Sequence, residues 1–163
     1  MIEDSSTTPS AEAAAIPPNQ GAELFVCRSP EETFELGERL GGELRGREVI
    51  LLTGGLGAGK TLLTKGILNS LEFDIDEVTS PSFTLVNLYK TEHFDVYHID
   101  LWRIDASMNP AAAVGLDEIL EDETAVVIIE WADHLGEFRF PGKTVRITIE
   151  GDGDEPRRIH IKN

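Results

Sequence analysis

Apolar positions along the chain fall into short clusters divided by polar or glycine-rich breaks, and their spacing changes from cluster to cluster. Leu24–Cys27, Val49–Leu52 and Ala125–Ile129 are brief continuous apolar runs of the kind that fill buried strands. Val86–Tyr89 and Phe94–Leu101 read as two strands joined through the polar segment Lys90-Thr91-Glu92, a hairpin. Thr144–Ile149 alternates strictly, as a half-exposed strand does. Arg157–Ile161 follows the turn Gly151–Asp154, so these last two strands are expected to pair antiparallel at a sheet edge.

Helical spacing appears between the strands. Leu63, Ile67, Leu68 and Leu71 predict a helix from about Thr61 to Leu71. An earlier helix is bounded by its own chemistry: Ser29 is placed to cap it, Pro30 to take the first position and Glu32 to close a capping box. It should run to about Leu40 and end at Gly41-Gly42. Pro110–Ala113 and Gly115–Leu120 predict a loop and a short acidic helix. Strands alternating with helices predict an α/β fold, with a mostly parallel sheet flanked by helices and antiparallel strands at its edges. Residues 1–22 are rich in Ser, Thr, Ala and Pro and are expected to be a disordered tail, with one domain over 23–163.

One break between elements carries chemistry. Gly54-Gly55-Leu56-Gly57-Ala58-Gly59-Lys60-Thr61 fits G-x-x-x-x-G-K-[ST], a phosphate-binding loop, and it lies between an apolar strand and a helix as that motif requires. Glycines allow the backbone N–H groups of Gly57, Ala58, Gly59 and their neighbours to approach phosphate oxygens. Lys60 reaches the β- and γ-phosphates, Thr61 offers a hydroxyl to Mg²⁺, and the helix N-terminus favours the anion. Later strands end in acids. The run Ala125–Ile129 terminates in Glu130, the form of a strand that delivers a carboxylate to a metal-bound phosphate. Trp131 follows, either against the site or in the core. Asp100 interrupts an apolar strand end, which is costly unless it faces a cation. That cation is either Mg²⁺ at the loop or Arg103. His98 is read as a base or as a satisfied half-buried histidine. The Ser80–Thr84 segment is read as a polar turn or as a nucleotide-ordered switch.

Composition narrows the class. The chain has 163 residues, with 40% hydrophobic and 27% charged, the balance of a globular protein. No apolar run approaches a membrane span, and Cys27 has no cysteine partner, so a reducing cytoplasmic setting is expected. Net charge is −16, with bases scattered apart from Arg45 with Arg47 and Arg157 with Arg158. That disfavours a direct grip on nucleic acid, and is read either as a solvated acidic surface that aids solubility or as a sign that any nucleic-acid work is done through a basic partner. No Asn-Lys-x-Asp guanine motif appears, which argues against a GTPase.

Four motifs together resemble the TsaE (YjeE) family, the small ATPases of bacterial tRNA threonylcarbamoyladenosine synthesis. They are the loop 54–61, Ser80-Pro81-Ser82-Phe83-Thr84-Leu85-Val86, Tyr97-His98-Ile99-Asp100-Leu101-Trp102-Arg103, and Ile128-Ile129-Glu130-Trp131. The match covers about Leu24 to Ile161. The resemblance implies a P-loop NTPase-like fold, ATP and Mg²⁺ as cofactors, Thr61 and Glu130 on the metal, and Asp100 positioning the metal or the attacking water. Lys60, Asp100 and Glu130 would be the catalytic set, and Leu62 would join the loop in binding phosphate. Trp131 would lie beside the nucleotide, while Ser29 and Arg157 would contact base or ribose. TsaD and TsaB would be the partners, with tRNA met only through that assembly. A nucleotide-gated adaptor and a small-molecule P-loop kinase are the alternatives. Gly55 stands where the family usually has an acid, Leu62 where a second Thr is common, and Phe83 and Trp102 in place of tyrosines.

Overall fold

A computed structural model describes residues 21–105 and 107–163. Of the expected tail, residues 1–20 lie outside that description, and Ala22 already opens the first strand. Seven strands form one sheet: β1 (Ala22–Cys27), β2 (Val49–Gly54), β3 (Val86–Lys90), β4 (Asp95–Asp100), β5 (Val126–Glu130), β6 (Thr144–Glu150) and β7 (Arg157–Lys162). Their order across the sheet is β1-β7-β6-β2-β5-β4-β3. The centre is parallel: β2 lies between β5 and β6, and β4 runs alongside β5. Both margins are antiparallel, β3 on β4 at one side and β7 and β1 beyond β6 at the other. The expected β6–β7 pairing therefore holds, with β1 rather than β7 at the rim.

Two layers cover the sheet. Helices α1 (Pro30–Gly42) and α2 (Lys60–Ser70) pack on one face, where Leu36, Leu63, Ile67 and Leu68 meet Ile50, Leu52, Ile128 and Ile147. On the other face the short helices α3 (Pro110–Val114) and α4 (Leu116–Ile119) bring Leu116 against Val49, Leu51, Ile99 and Ile129. Being covered on both faces, β5 is buried along its whole length, which explains its unbroken apolar sequence.

Ser29 caps α1 by accepting from the Glu32 N–H at 3.2 Å, while the Glu32 carboxylate reaches back to the Arg28 N–H at 2.6 Å. The helix then continues through Gly41 and Gly42, two residues past the expected stop, and is capped by Glu43. The reason is tertiary. A Cβ on Gly41 would lie 2.0 Å from the Ser70 hydroxyl oxygen, and one on Gly37 would lie 2.3 Å from the Leu63 carbonyl oxygen. Opposite them on α2, a Cβ on Gly66 would lie 2.1 Å from the Phe34 carbonyl oxygen. These glycines let two helices touch backbone to backbone; they do not end one.

Candidate nucleotide site

The parallel strands β2, β4 and β5 deliver their C-terminal ends to one rim, the place where open α/β sheets bind ligands. There β2 passes into the loop 54–59, and α2 begins at Lys60. Gly57 (φ 77°) and Gly59 (φ 113°) hold left-handed conformations, and Gly59 occupies the N-cap without a side-chain cap. A residue with a Cβ would be strained at both, so the loop owes its shape to glycine. The N–H groups at the head of α2 are left free to meet an anion.

Lys60 folds over this loop. Its Nζ donates to the carbonyls of Gly54 at 2.9 Å and Gly55 at 2.7 Å, and sits 4.1 Å from the centre of the Trp131 ring. Burial pushes the ammonium below its ordinary pKa, against an opposite pull from Glu130, Asp100 and Asp133. Trp131 itself has φ 59°, left-handed in a residue that seldom adopts it, and stacks on Trp102 with ring centres 4.3 Å apart.

Parallel pairing of β4 with β5 sets Asp100 directly beside Glu130. Both are nearly sealed, at 3% and 2% exposure. Glu130 accepts at Oε1 from the Thr61 hydroxyl at 3.0 Å and is joined there by His98 Nε2 at 2.9 Å. Because Thr61 gives its hydrogen to the carboxylate, its oxygen lone pairs remain available to a cation. Asp100 accepts from the Ser80 hydroxyl at 3.1 Å and from the Trp102 N–H at 2.8 Å. Arg103 is not its partner: that guanidinium lies over the Phe83 ring, 4.3 Å from its centre. Of the two cations expected for Asp100, Arg103 is thus not in place.

A cavity of about 400 Å³ is lined by Lys60, Thr61, Ser80, Asp100, Glu130 and Trp131, among others. A second, of about 350 Å³, lies across the loop and is lined by Ser29, Thr33, Ala58, Leu62 and Arg157. Gly57, Gly59 and Leu62 border both, so the loop forms the ridge between them. The sequence-derived residues therefore divide into two groups, with Lys60, Thr61, Asp100, Glu130 and Trp131 on one side and Ser29 and Arg157 on the other. Ser29 is occupied as a helix cap. Arg157 spends its guanidinium on carbonyls, donating to Ala58 at 3.0 Å, Gly57 at 3.3 Å and Gly153 at 3.0 Å. It straps the loop to the β6–β7 turn.

Ser80 is held in place by residues whose part was not evident beforehand. Tyr89 donates to the Thr79 carbonyl at 3.1 Å, and Asn87 reaches the same oxygen at 3.2 Å. Both side chains belong to β3, eight and ten residues further along the chain than Thr79.

The chain is similar to known proteins in sequence and in fold. The family model for threonylcarbamoyl adenosine biosynthesis protein TsaE matches residues 27–159. The chain belongs to the TsaE family. A tRNA threonylcarbamoyladenosine biosynthesis protein TsaE of Rickettsia bellii is 30% identical over 138 residues, covering 85% of this chain and 93% of its own. The Bacillus subtilis TsaE is 34% identical, covering 80% of this chain and 79% of its own. The crystal structure of Bacillus subtilis YdiB aligns with TM-score 0.66 and 31% identity, covering 86% of this chain and 84% of that one. TsaE membership makes this a nucleotide-binding P-loop protein of tRNA threonylcarbamoyladenosine biosynthesis. Among the described residues no helix is long and apolar enough to cross a membrane.

Proposed function

We propose that the chain binds and hydrolyses Mg-ATP, and that hydrolysis supports turnover of the tRNA-modifying assembly formed with TsaD and TsaB in the cytoplasm. One observation carries this reading: Lys60, Thr61, Asp100 and Glu130 converge on a single cavity at the head of α2. The donor set fits the cofactor. Mg²⁺ prefers oxygen ligands and needs only one or two carboxylates besides phosphate and water. Thr61 and the Glu130–Asp100 pair supply such oxygens, and Lys60 with the loop N–H groups suits a polyphosphate. When bound, the metal would neutralise charge on the phosphates.

The chain's own residues do the rest. Lys60 exchanges the carbonyls of Gly54 and Gly55 for phosphate oxygens. Asp100 or Glu130 orients the attacking water. The nucleotide spans the loop ridge, placing base and ribose in the cavity bounded by Ser29 and Arg157. Arg103 borders the phosphate side and is the arginine available to a developing negative charge. With net charge −16, tRNA is met through the partners and not directly.

Phosphate release measured with and without TsaD and TsaB tests the proposal. Stimulation by the partners, lost in Lys60→Ala and Glu130→Ala, is the expected result. Complex formation with binding but no hydrolysis would make the chain a nucleotide-gated adaptor. Unchanged ATP binding by Lys60→Ala in calorimetry would remove the loop from the mechanism altogether.

A further inference from the structure

Resting on the Mg-ATP reading, we propose that His98 is a positioning residue that aims the Glu130 carboxylate, and through it the Thr61 hydroxyl, at the metal. His98 lies on β4 with no exposed surface, on the sheet face that Ile128 and α2 cover. Its Nε2 stands 2.9 Å from Glu130 Oε1, and its Nδ1 is buried with no hydrogen-bond partner among the described residues. A histidine serving only to fill space would be better replaced by an apolar residue, because a buried polar atom left unpaired destabilises the fold. Among the described residues, the side-chain hydrogen bonding of His98 is to Glu130 alone.

The unpaired Nδ1 also assigns the proton. A hydrogen on Nδ1 would be a buried donor with nothing to meet among the described residues, whereas one on Nε2 meets Oε1 at 2.9 Å. Nε2 therefore carries a hydrogen and donates it to Oε1. Thr61 donates to the same oxygen. Both protein donors thus gather on Oε1, while Oε2 carries none among the described residues. The carboxylate is fixed by one oxygen and left open by the other. His98, Glu130 and Thr61 form a continuous chain running from the sheet interior to the cavity. In metal sites, outer partners that orient a carboxylate or imidazole ligand shift metal affinity 10–100-fold when removed.

Two amides separate orientation from packing. The Gln side chain places its terminal nitrogen near the position of Nε2, whereas the shorter Asn reaches only that of Nδ1. ADP affinity is measured by calorimetry in EDTA and then across a Mg²⁺ series, for the full chain and for His98→Gln, His98→Asn and His98→Phe. Circular dichroism reports folding. In EDTA all folded variants should bind ADP alike, since the loop and Lys60 are untouched. The Mg²⁺ concentration that half-restores tight binding should rise about 10–100-fold for His98→Asn and His98→Phe, and stay within about threefold of the natural chain for His98→Gln. Equal Mg²⁺ midpoints for Gln and Asn overturn the inference, and so does an Asn variant that matches the natural chain. These two variants decide it even where the Phe variant does not fold. If the natural chain itself shows no Mg²⁺ effect, it is the Mg-ATP reading that fails.

Discussion

Gly66→Ala sets local preference against tertiary geometry, and the two demand opposite signs. Gly66 lies inside α2 and is buried. Taken as a helix position alone, alanine should stabilise it by about 0.5–1 kcal/mol. The structure requires the reverse. The new Cβ would stand 2.1 Å from the Phe34 carbonyl oxygen and 3.0 Å from both the Phe34 carbonyl carbon and the Gly37 Cα, all backbone atoms. Real Cβ atoms keep at least 3.0 Å from such neighbours, so α1 and α2 would have to part by about 0.9 Å. Overpacking of this kind costs about 1–3 kcal/mol, and backbone contacts that cannot rotate aside put it at the upper end. After the helical gain is subtracted, a net loss of about 2 kcal/mol is expected, or roughly 4–8 °C in Tm for a chain of this size. Gly42→Ala is the matched control: it lies in α1 with nothing within 4 Å of the added methyl, and should be neutral or mildly stabilising. Urea unfolding of both variants is the assay. A Gly66→Ala variant as stable as the natural chain would show that the helices do not meet through their glycines. Because α2 begins with Lys60 and Thr61, the same variant should also bind ATP more weakly.

Further outcomes follow from the site. Burial lowers the Lys60 pKa in the free protein, and bound phosphate would raise it again; binding therefore takes up a proton above the lowered value, and ATP affinity should fall by up to tenfold per pH unit on the alkaline side, a dependence that Lys60→Arg should flatten. Gly55→Glu adds an acid to the loop; with no atom within 4 Å of its Cβ it should fold normally, and the added charge should weaken ATP binding roughly two- to fivefold in calorimetry at low salt. Arg157→Lys keeps the charge and loses the fork that spans Gly57, Ala58 and Gly153; it should lose about 1–2 kcal/mol in urea unfolding and weaken ATP binding as much as Arg157→Ala, whereas a lysine that fully substitutes would mean that charge alone matters there. Burial pushes the Cys27 thiol up, with Glu32 adding to the shift against a Thr33 hydrogen bond, so labelling by maleimide at pH 7 should await unfolding.

What could be read beforehand is what local chemistry decides. A strand, a glycine turn and Lys-Thr at a helix start are dictated within a dozen residues, and they stand where expected. The unbroken apolar run of β5 likewise announced a strand covered on both faces, with Glu130 at its end. Distances between elements were not legible. Gly41 and Gly42 have the composition of a helix stop, and only the nearness of Ser70 and Ile67 shows that Gly41 makes room. Asp100 is three residues from Arg103 in the chain, yet turns to Ser80, twenty residues away. Arg103 is drawn instead to Phe83, whose ring no spacing rule connects with it. His98 and Glu130 are separated by 32 residues and meet only because β4 and β5 pair in parallel with Asp100 opposite Glu130.

These long-range contacts share a consequence for how a nucleotide is received. The loop is held from three directions: by β2, with β5 and β6 on either side; by α2, seated on α1 through Gly66 and Gly37; and by the Arg157 strap from the β6–β7 turn. These contacts should hold its backbone near this shape before a phosphate arrives, leaving less ordering entropy to be lost on binding. What remains free is side chains. Lys60 rests on two loop carbonyls and the Trp131 ring, contacts weak enough to exchange for phosphate and strong enough to keep a buried ammonium from standing unpaired. Loosening the strap or the helix contact should therefore weaken nucleotide binding through the loop, in EDTA as well as in Mg²⁺. Removing the His98 donor should act only when metal is present. That difference separates the two kinds of support, one for the phosphates and one for the cation, in a single pair of titrations.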